Sequence, residues 1–258
     1  MSVTPALSDA QVGDLLALLP GSDSVELKLT VPESQQMSVA RALGMDPLDA
    51  QIRQVFFFDT PTLALSKRGV VVRARRVQRK GGDAIVKVRP VEPAAMQKAL
   101  RKSSGFTVEV DAMPGSFVCS GTLKRSVDNA DVRQVAVGGA PLTSLLSKRQ
   151  RAFAAEHAPG MELDGLSMLG PILVLKLKFN PDNFARRLVA EAWLYPDGSR
   201  LLELSTKCSP AEAFQTAAEA RAFLAGHGVD LSGDQETKTK KALRFFAKEL
   251  RQAGARDG

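Results

Sequence analysis

Arg73 and Arg75 stand two residues apart in this chain, as do Lys87 and Arg89, Glu109 and Asp111, and Lys176 and Lys178. Glu26 lies two residues before Lys28, and Glu203 four before Lys207. Residues at i and i+2 of an extended strand point to the same side, so each pair reads as two charges on one strand face. Guanidinium and ammonium groups suit phosphate oxygens, and carboxylates suit hard divalent cations. The chemistry expected of such a set is the capture of a polyanion accompanied by a divalent metal. A single pair is explained equally well by a solvated, half-polar strand. Repetition over many strands, with arginine at neighbouring positions, favours a lined pocket.

The elements that must carry these residues follow from periodicity. Val25, Leu27, Leu29 and Val31 alternate with Ser24, Glu26, Lys28 and Thr30, which predicts a strand with one apolar and one polar face. Further strands are expected over Ile52–Asp59, Arg68–Gln78, Asp83–Val91 (after the Gly81-Gly82 turn), Phe106–Ala112, Ile172–Phe179, Arg186–Tyr195 and Ser199–Lys207, giving eight. Helices are expected over Ser8–Leu19, Pro32 to about Leu43, Pro93–Lys102 and Ser209 to about Ala225. A last one, over Gln235–Gln252, is basic and amphipathic and reads as a scaffold helix on the outside. The stretch 113–170 shows no regular pattern. The expected fold class is α+β, an eight-stranded antiparallel β-barrel or tunnel with helices packed outside. It forms one domain over 1–258, with core strands at about 23–112 and 172–208 and C-terminal helices at 209–255.

Composition removes several alternatives. The 258 residues are 44% hydrophobic and 24% charged, which suits a globular domain and not a disordered chain. No apolar run reaches the roughly 18 residues of a membrane span, and Met1-Ser2-Val3-Thr4-Pro5 lacks the features of a signal peptide, so no membrane is expected and the default location is cytoplasmic. Cys119 and Cys208 fit no metal or redox spacing, and His157 and His227 are too few for a histidine-based centre. Thirty-five basic against 28 acidic residues give +7 and point to anionic partners. With 5% aromatic residues the chain is poorly supplied with base-stacking platforms, which places small phosphorylated ligands ahead of nucleic acid.

Glu26-Leu27-Lys28, the block from Phe57-Phe58-Asp59-Thr60-Pro61 through Gly69 to Val72-Arg73-Ala74-Arg75, then Val86-Lys87-Val88-Arg89, Val108-Glu109-Val110 and Leu202-Glu203-Leu204 together resemble the CYTH superfamily, the triphosphate tunnel metalloenzymes. The likeness runs over about 23–112 and 172–250. It implies a tunnel in which basic residues cradle a linear triphosphate and acidic residues bind one or two Mg²⁺ or Mn²⁺ ions. Its members hydrolyse inorganic, thiamine or RNA 5′-triphosphates, or cyclise ATP. By this resemblance Glu26 is a catalytic metal ligand and Lys28 its substrate-contacting partner, while Arg73, Arg75, Lys87 and Arg89 form a phosphate clamp. Glu109, Glu191 and Glu203 are further metal ligands, and Lys238 closes over the substrate. Lys176, Lys178 and Lys207 extend the basic lining.

Two positions depart from the pattern. Ser24 stands where the family motif begins with Glu, and Ser205 follows Glu203 where a second Glu is usual. A hydroxyl is a weaker ligand than a carboxylate for a hard cation and brings no charge. The expected function is a metal-dependent triphosphatase acting on inorganic triphosphate or an organic triphosphate. The alternative is a polyphosphate- or nucleotide-binding tunnel with weak or no turnover, and an adenylate cyclase ranks below both. A homodimer is compatible with the sequence.

Overall fold

Alternation along the chain builds a closed wall. The structure, a computed structural model, describes residues 9–230 and 235–254. Among these, nine strands close in the order β1 (Ser24–Val31), β5 (Phe106–Met113), β6 (Ser116–Val127), β4 (Gly82–Val88), β3 (Val70–Val77), β2 (Gln51–Asp59), β7 (Ser167–Phe179), β8 (Leu188–Leu194) and β9 (Arg200–Cys208), which returns to β1. The eight strands expected are all present and the ninth is β6. It lies in the stretch without a sequence pattern because Ser116, Ser120, Gly121 and Thr122 break the apolar alternation. At Gly121 a Cβ would come within 3.3 Å of the Phe106 ring, so the residue there is small for packing reasons. The barrel is also mixed where an antiparallel one was expected. β1 pairs β5 in parallel, Ser24 opposite Glu109 and Glu26 opposite Asp111. An odd number of strands cannot alternate direction all the way round a ring, and this pair absorbs the mismatch.

Eight α-helices are described: α1 (Asp9–Leu18), α2 (Gln36–Ala42), α3 (Ala64–Lys67), α4 (Lys98–Arg101), α5 (Asn129–Ala136), α6 (Lys148–His157), α7 (Ala213–Gly226) and α8 (Lys238–Gly254). Ser8 and residue 255, at the ends of the expected helical stretches, lie outside the described residues. α5 and α6 cover the outer face of one wall, where Val132, Val135, Phe153 and Ala154 pack with Phe56, Val72, Val86 and Val108. Gln150 of α6, 1% exposed, donates to the Ala84 and Leu123 carbonyls and ties that helix to β4 and β6. α2 and α7 cover the opposite wall, with Val39, Leu43, Ala220 and Leu224 against Leu29, Val31, Leu188 and Leu204.

α8 corrects the expectation that all helices pack outside. Its Ala242, Leu243 and Phe246 join Phe57, Val71, Val174, Trp193 and Leu201, residues that share their strand face with Arg73, Lys176 and Glu191. The amphipathic helix therefore turns its apolar side into one end of the barrel.

The Phe57–Arg75 block owes its order to two local devices. The Asp59 carboxylate, 1% exposed, accepts hydrogen bonds from the backbone N–H groups of Thr60, Leu65 and Ser66, which fixes the short α3. Gly69, at φ +75°, lies so close to β4 that a Cβ would fall 2.1 Å from the Arg89 carbonyl oxygen. Only glycine permits that approach, and it sets the start from which Arg73 and Arg75 are aimed inward.

Candidate functional site

The inward face carries most of the charged pairs noted in the sequence. Glu26 on β1 and Glu109 and Asp111 on β5 each offer a carboxylate oxygen, and these oxygens lie within 4.8 Å of one another. Three hard oxygen donors at that spacing suit a cation such as Mg²⁺ or Mn²⁺. The parallel β1–β5 register produces the cluster, since it sets Glu26 opposite Asp111 and Ser24 opposite Glu109.

Each acid of the cluster also has a lysine. Lys28 Nζ is 2.6 Å from Asp111 Oδ1 and 3.0 Å from Glu26 Oε2, and Lys87 Nζ is 2.7 Å from Asp111 Oδ2. Lys207 pairs with Glu109. Burial works against charge on Glu26, but Lys28 and Lys238 outweigh it and hold the pKa at about 2. Burial opposes charge on Asp111 as well, and Lys87 and Lys28 overcome it, so this carboxyl sits below the usual range. Glu109 goes the other way: burial, then the neighbouring Glu26 and Asp111, push its pKa up against the pull of Lys207. Ser24 and Ser205 join the same cluster. Ser24 Oγ donates to Glu109 Oε2 at 3.3 Å, and Ser205 Oγ to Glu26 Oε1 at 3.2 Å.

Glu191 and Glu203 lie outside that cluster. They face each other across β8 and β9, and Lys238 Nζ, at the start of α8, bonds both, reaching Glu203 Oε1 at 2.7 Å. Lys176 takes the second Glu191 oxygen at 2.7 Å. The structure thus gives these two expected metal ligands an ammonium partner. Lys238, which the resemblance sets over the substrate, is held by these carboxylates in the ligand-free structure.

The remaining wall is cationic. Arg75 makes a two-pronged bond to Asp83, at 2.8 and 2.7 Å, so one member of the expected clamp is already engaged. The Arg73 side chain has no hydrogen bond or ion pair among the described residues, and its Nε is buried without a partner. Burial and the adjacent Arg75 lower its pKa to about 10, with Asp83 opposing. Among the described residues the Arg53 guanidinium on β2 bonds only Gln51, and it likewise has a lowered pKa, first through burial and then through Arg75. Burial also lowers that of Arg89, with Asp111 opposing it. Lys178 is exposed at the end of β7 and has no ion pair among the described residues.

Sequence reasoning missed Arg53, Asp83 and the metal-ligand geometry of Asp111. Arg53 shares its face with Val55 and Phe57, and the apolar run over both faces of β2 conceals the inward set. Asp83 lies beside the hairpin glycines, where a turn acid is ordinary.

No family model and no curated protein matches the sequence. Solved structures do. A Hippeastrum protein, HpAC1, described as an adenylyl cyclase candidate with a dominant triphosphatase activity, has a TM-score of 0.60 at 15% identity, over 83% of this chain and 92% of its own. A Bacillus halodurans protein, bh2851, described as an adenylate cyclase candidate, has a TM-score of 0.59 at 10% identity, over 85% of this chain and 97% of its own. The likeness is one of fold, the tunnel barrel that the CYTH resemblance implied.

Proposed function

We propose that this CYTH-type barrel is a metal-dependent phosphohydrolase that binds a linear triphosphate, inorganic or at the end of an organic molecule, in its basic interior. The observation that carries the proposal is the facing of two unlike walls inside a closed barrel. Among the described residues Arg53, Arg73 and Arg89 have no carboxylate ion pair on one side, and the Glu26, Glu109 and Asp111 oxygens cluster on the other. Buried cations without counter-ions are costly to hold, and a phosphate chain would supply the oxygens they lack. The triphosphatase activity described for the Hippeastrum structure supports the same direction.

Arg73, Arg75, Lys87 and Arg89 would bind the chain and neutralise the charge that repels an attacking nucleophile. Lys176, Lys178 and Lys207 would extend that lining. Lys28 reaches both Glu26 and Asp111, so it can exchange a carboxylate for a phosphate oxygen without leaving the site. A divalent cation held by Glu26, Glu109 and Asp111 would polarise a phosphoryl oxygen and acidify a water molecule. Water then adds to the terminal phosphorus as the bridging oxygen leaves, giving orthophosphate and the shortened chain. Among the described residues no helix is long and apolar enough to cross a membrane. We propose the cytoplasm as the place of the reaction.

A second reading, a tunnel that binds polyphosphate or a nucleotide with little turnover, is favoured by one observation. Ser24 and Ser205 give the acid cluster hydroxyls where the family has carboxylates. The test is phosphate release from inorganic triphosphate, ATP and thiamine triphosphate with Mg²⁺ or Mn²⁺, beside a calorimetric titration of each ligand. Metal-dependent release that is lost in Glu26→Gln is the expected result. Tight binding without release selects the second reading, cyclic AMP from ATP would make it a cyclase, and neither binding nor release refutes the substrate assignment.

A further inference from the structure

The Glu191–Glu203 pair has a feature that the proposed phosphohydrolase does not use. Two carboxylates directly opposite on neighbouring strands repel each other, and Glu203 is 2% exposed, so water does little to relieve them. A shared proton or a cation has to relieve them. Here it is a cation, and it belongs to the chain: Lys238 Nζ bonds Glu191 Oε2 and Glu203 Oε1. The second Glu191 oxygen is taken by Lys176, and Trp193 Nε1 donates to Glu191 Oε2 at 3.3 Å. Two acids and two lysines close to a neutral set.

Lys238 is also anchored from both sides. Just before it, Gln235 Oε1 accepts from the Thr30 N–H at 2.8 Å, and the Glu236 carbonyl accepts from the Thr30 hydroxyl at 3.1 Å. Just after it, Leu243 and Phe246 pack into the barrel end. In the other acid cluster Lys28 and Lys87 are also held by buried Asp111, and the difference lies at Glu109, whose ion pair among the described residues is with Lys207, a side chain 58% exposed.

We propose that Lys238 is a tethered counter-ion occupying the place between Glu191 and Glu203 where a second divalent cation would bind, so that the tunnel takes one exchangeable metal ion, at Glu26, Glu109 and Asp111. This rests on the metal-dependent reading above, and it deepens that reading by setting the metal count. α8 then does two jobs, closing one end of the barrel and delivering a fixed positive charge.

The test is a titration with Mn²⁺ alone, counting bound ions from the loss of the free-ion electron paramagnetic resonance signal. Lys238→Met is expected to bind one more Mn²⁺ per chain than the wild type, and Lys238→Met/Glu191→Gln to lose that extra ion. Equal counts in the wild type and in a folded Lys238→Met protein overturn the inference. If Lys238→Met does not fold, Glu203→Gln in the otherwise wild-type chain decides: an unchanged count supports the proposal and a lost ion overturns it. The wild-type count tests the earlier reading separately. No ion in the wild type but one in Lys238→Met would remove the metal-dependent reading and leave Lys238 as the counter-ion.

Discussion

Replacing Arg73 by methionine should move stability and ligand affinity in opposite directions. The Arg73 guanidinium is held inside the barrel without a hydrogen bond among the described residues and beside Arg75. Its pKa of about 10 records how strongly burial, and then Arg75, disfavour the charged form. That displacement corresponds to a ceiling of about 3 kcal/mol in the ligand-free protein. Residual hydration of the half-buried side chain, and the Phe57 ring 6.0 Å away, reduce the realised cost to ~1–2 kcal/mol. Methionine keeps most of the packing and removes the charge, so the ligand-free Tm should rise by roughly 2–8 °C for a chain of this size. Triphosphate should bind ~10–100-fold more weakly, because a charge-assisted hydrogen bond is lost. Differential scanning calorimetry and a titration with inorganic triphosphate, both without metal, measure the two effects. A lower Tm with unchanged affinity would refute the idea that Arg73 is a cation waiting for an anion.

Ser205→Glu should set a carboxylate against Glu26, lowering Tm in chelator and restoring it with Mn²⁺, with the metal bound about tenfold more tightly; melts with and without Mn²⁺ check this, and equal melts in both would count against it. Asp59→Ala should cost ~2–4 kcal/mol in urea unfolding, since three backbone N–H groups at α3 lose their acceptor. On acidification the carboxylates divide. Glu26, Asp111 and Glu191 have pKa values below the usual range, so the stability they contribute is complete above about pH 4.5, and the Glu26 share is lost as the pH falls through about 2. Glu109, whose pKa is raised, takes up its proton first and relieves repulsion as it does so. Mn²⁺ affinity should therefore drop at a higher pH than Tm does, and a joint decline of the two would contradict this assignment.

The residues that drew attention first were legible because strand alternation is a strict rule. Glu26 and Lys28, Arg73 and Arg75, and Glu109 and Asp111 needed only a spacing of two to be placed on one face. Register was not legible. Nothing in Ser24-Val25-Glu26 states that β1 lies parallel to β5, yet that pairing decides which carboxylates meet. The same holds for Lys238: the helical pattern of α8 marks an apolar side but does not say whether that side meets the outside of a barrel or its end. β6 escaped because small residues chosen to fit under Phe106 and Phe153 remove the signal that alternation needs.

The seam between β1 and β9 has a consequence for how the protein is made. Val25 and Cys208 are hydrogen-bonded neighbours 183 residues apart, and the edge of β1 that faces β9 has no strand partner until β9 has been synthesised. Wall segments such as the β3–β4 and β5–β6 hairpins can form from local contacts while the chain is still emerging, whereas closure must wait for nearly the whole of it. The acid cluster receives Ser205 and Lys207 from that last strand, so a nascent chain does not hold the complete site. On the proposed function, competence to bind a polyanion would arrive late, with the last strand of the wall.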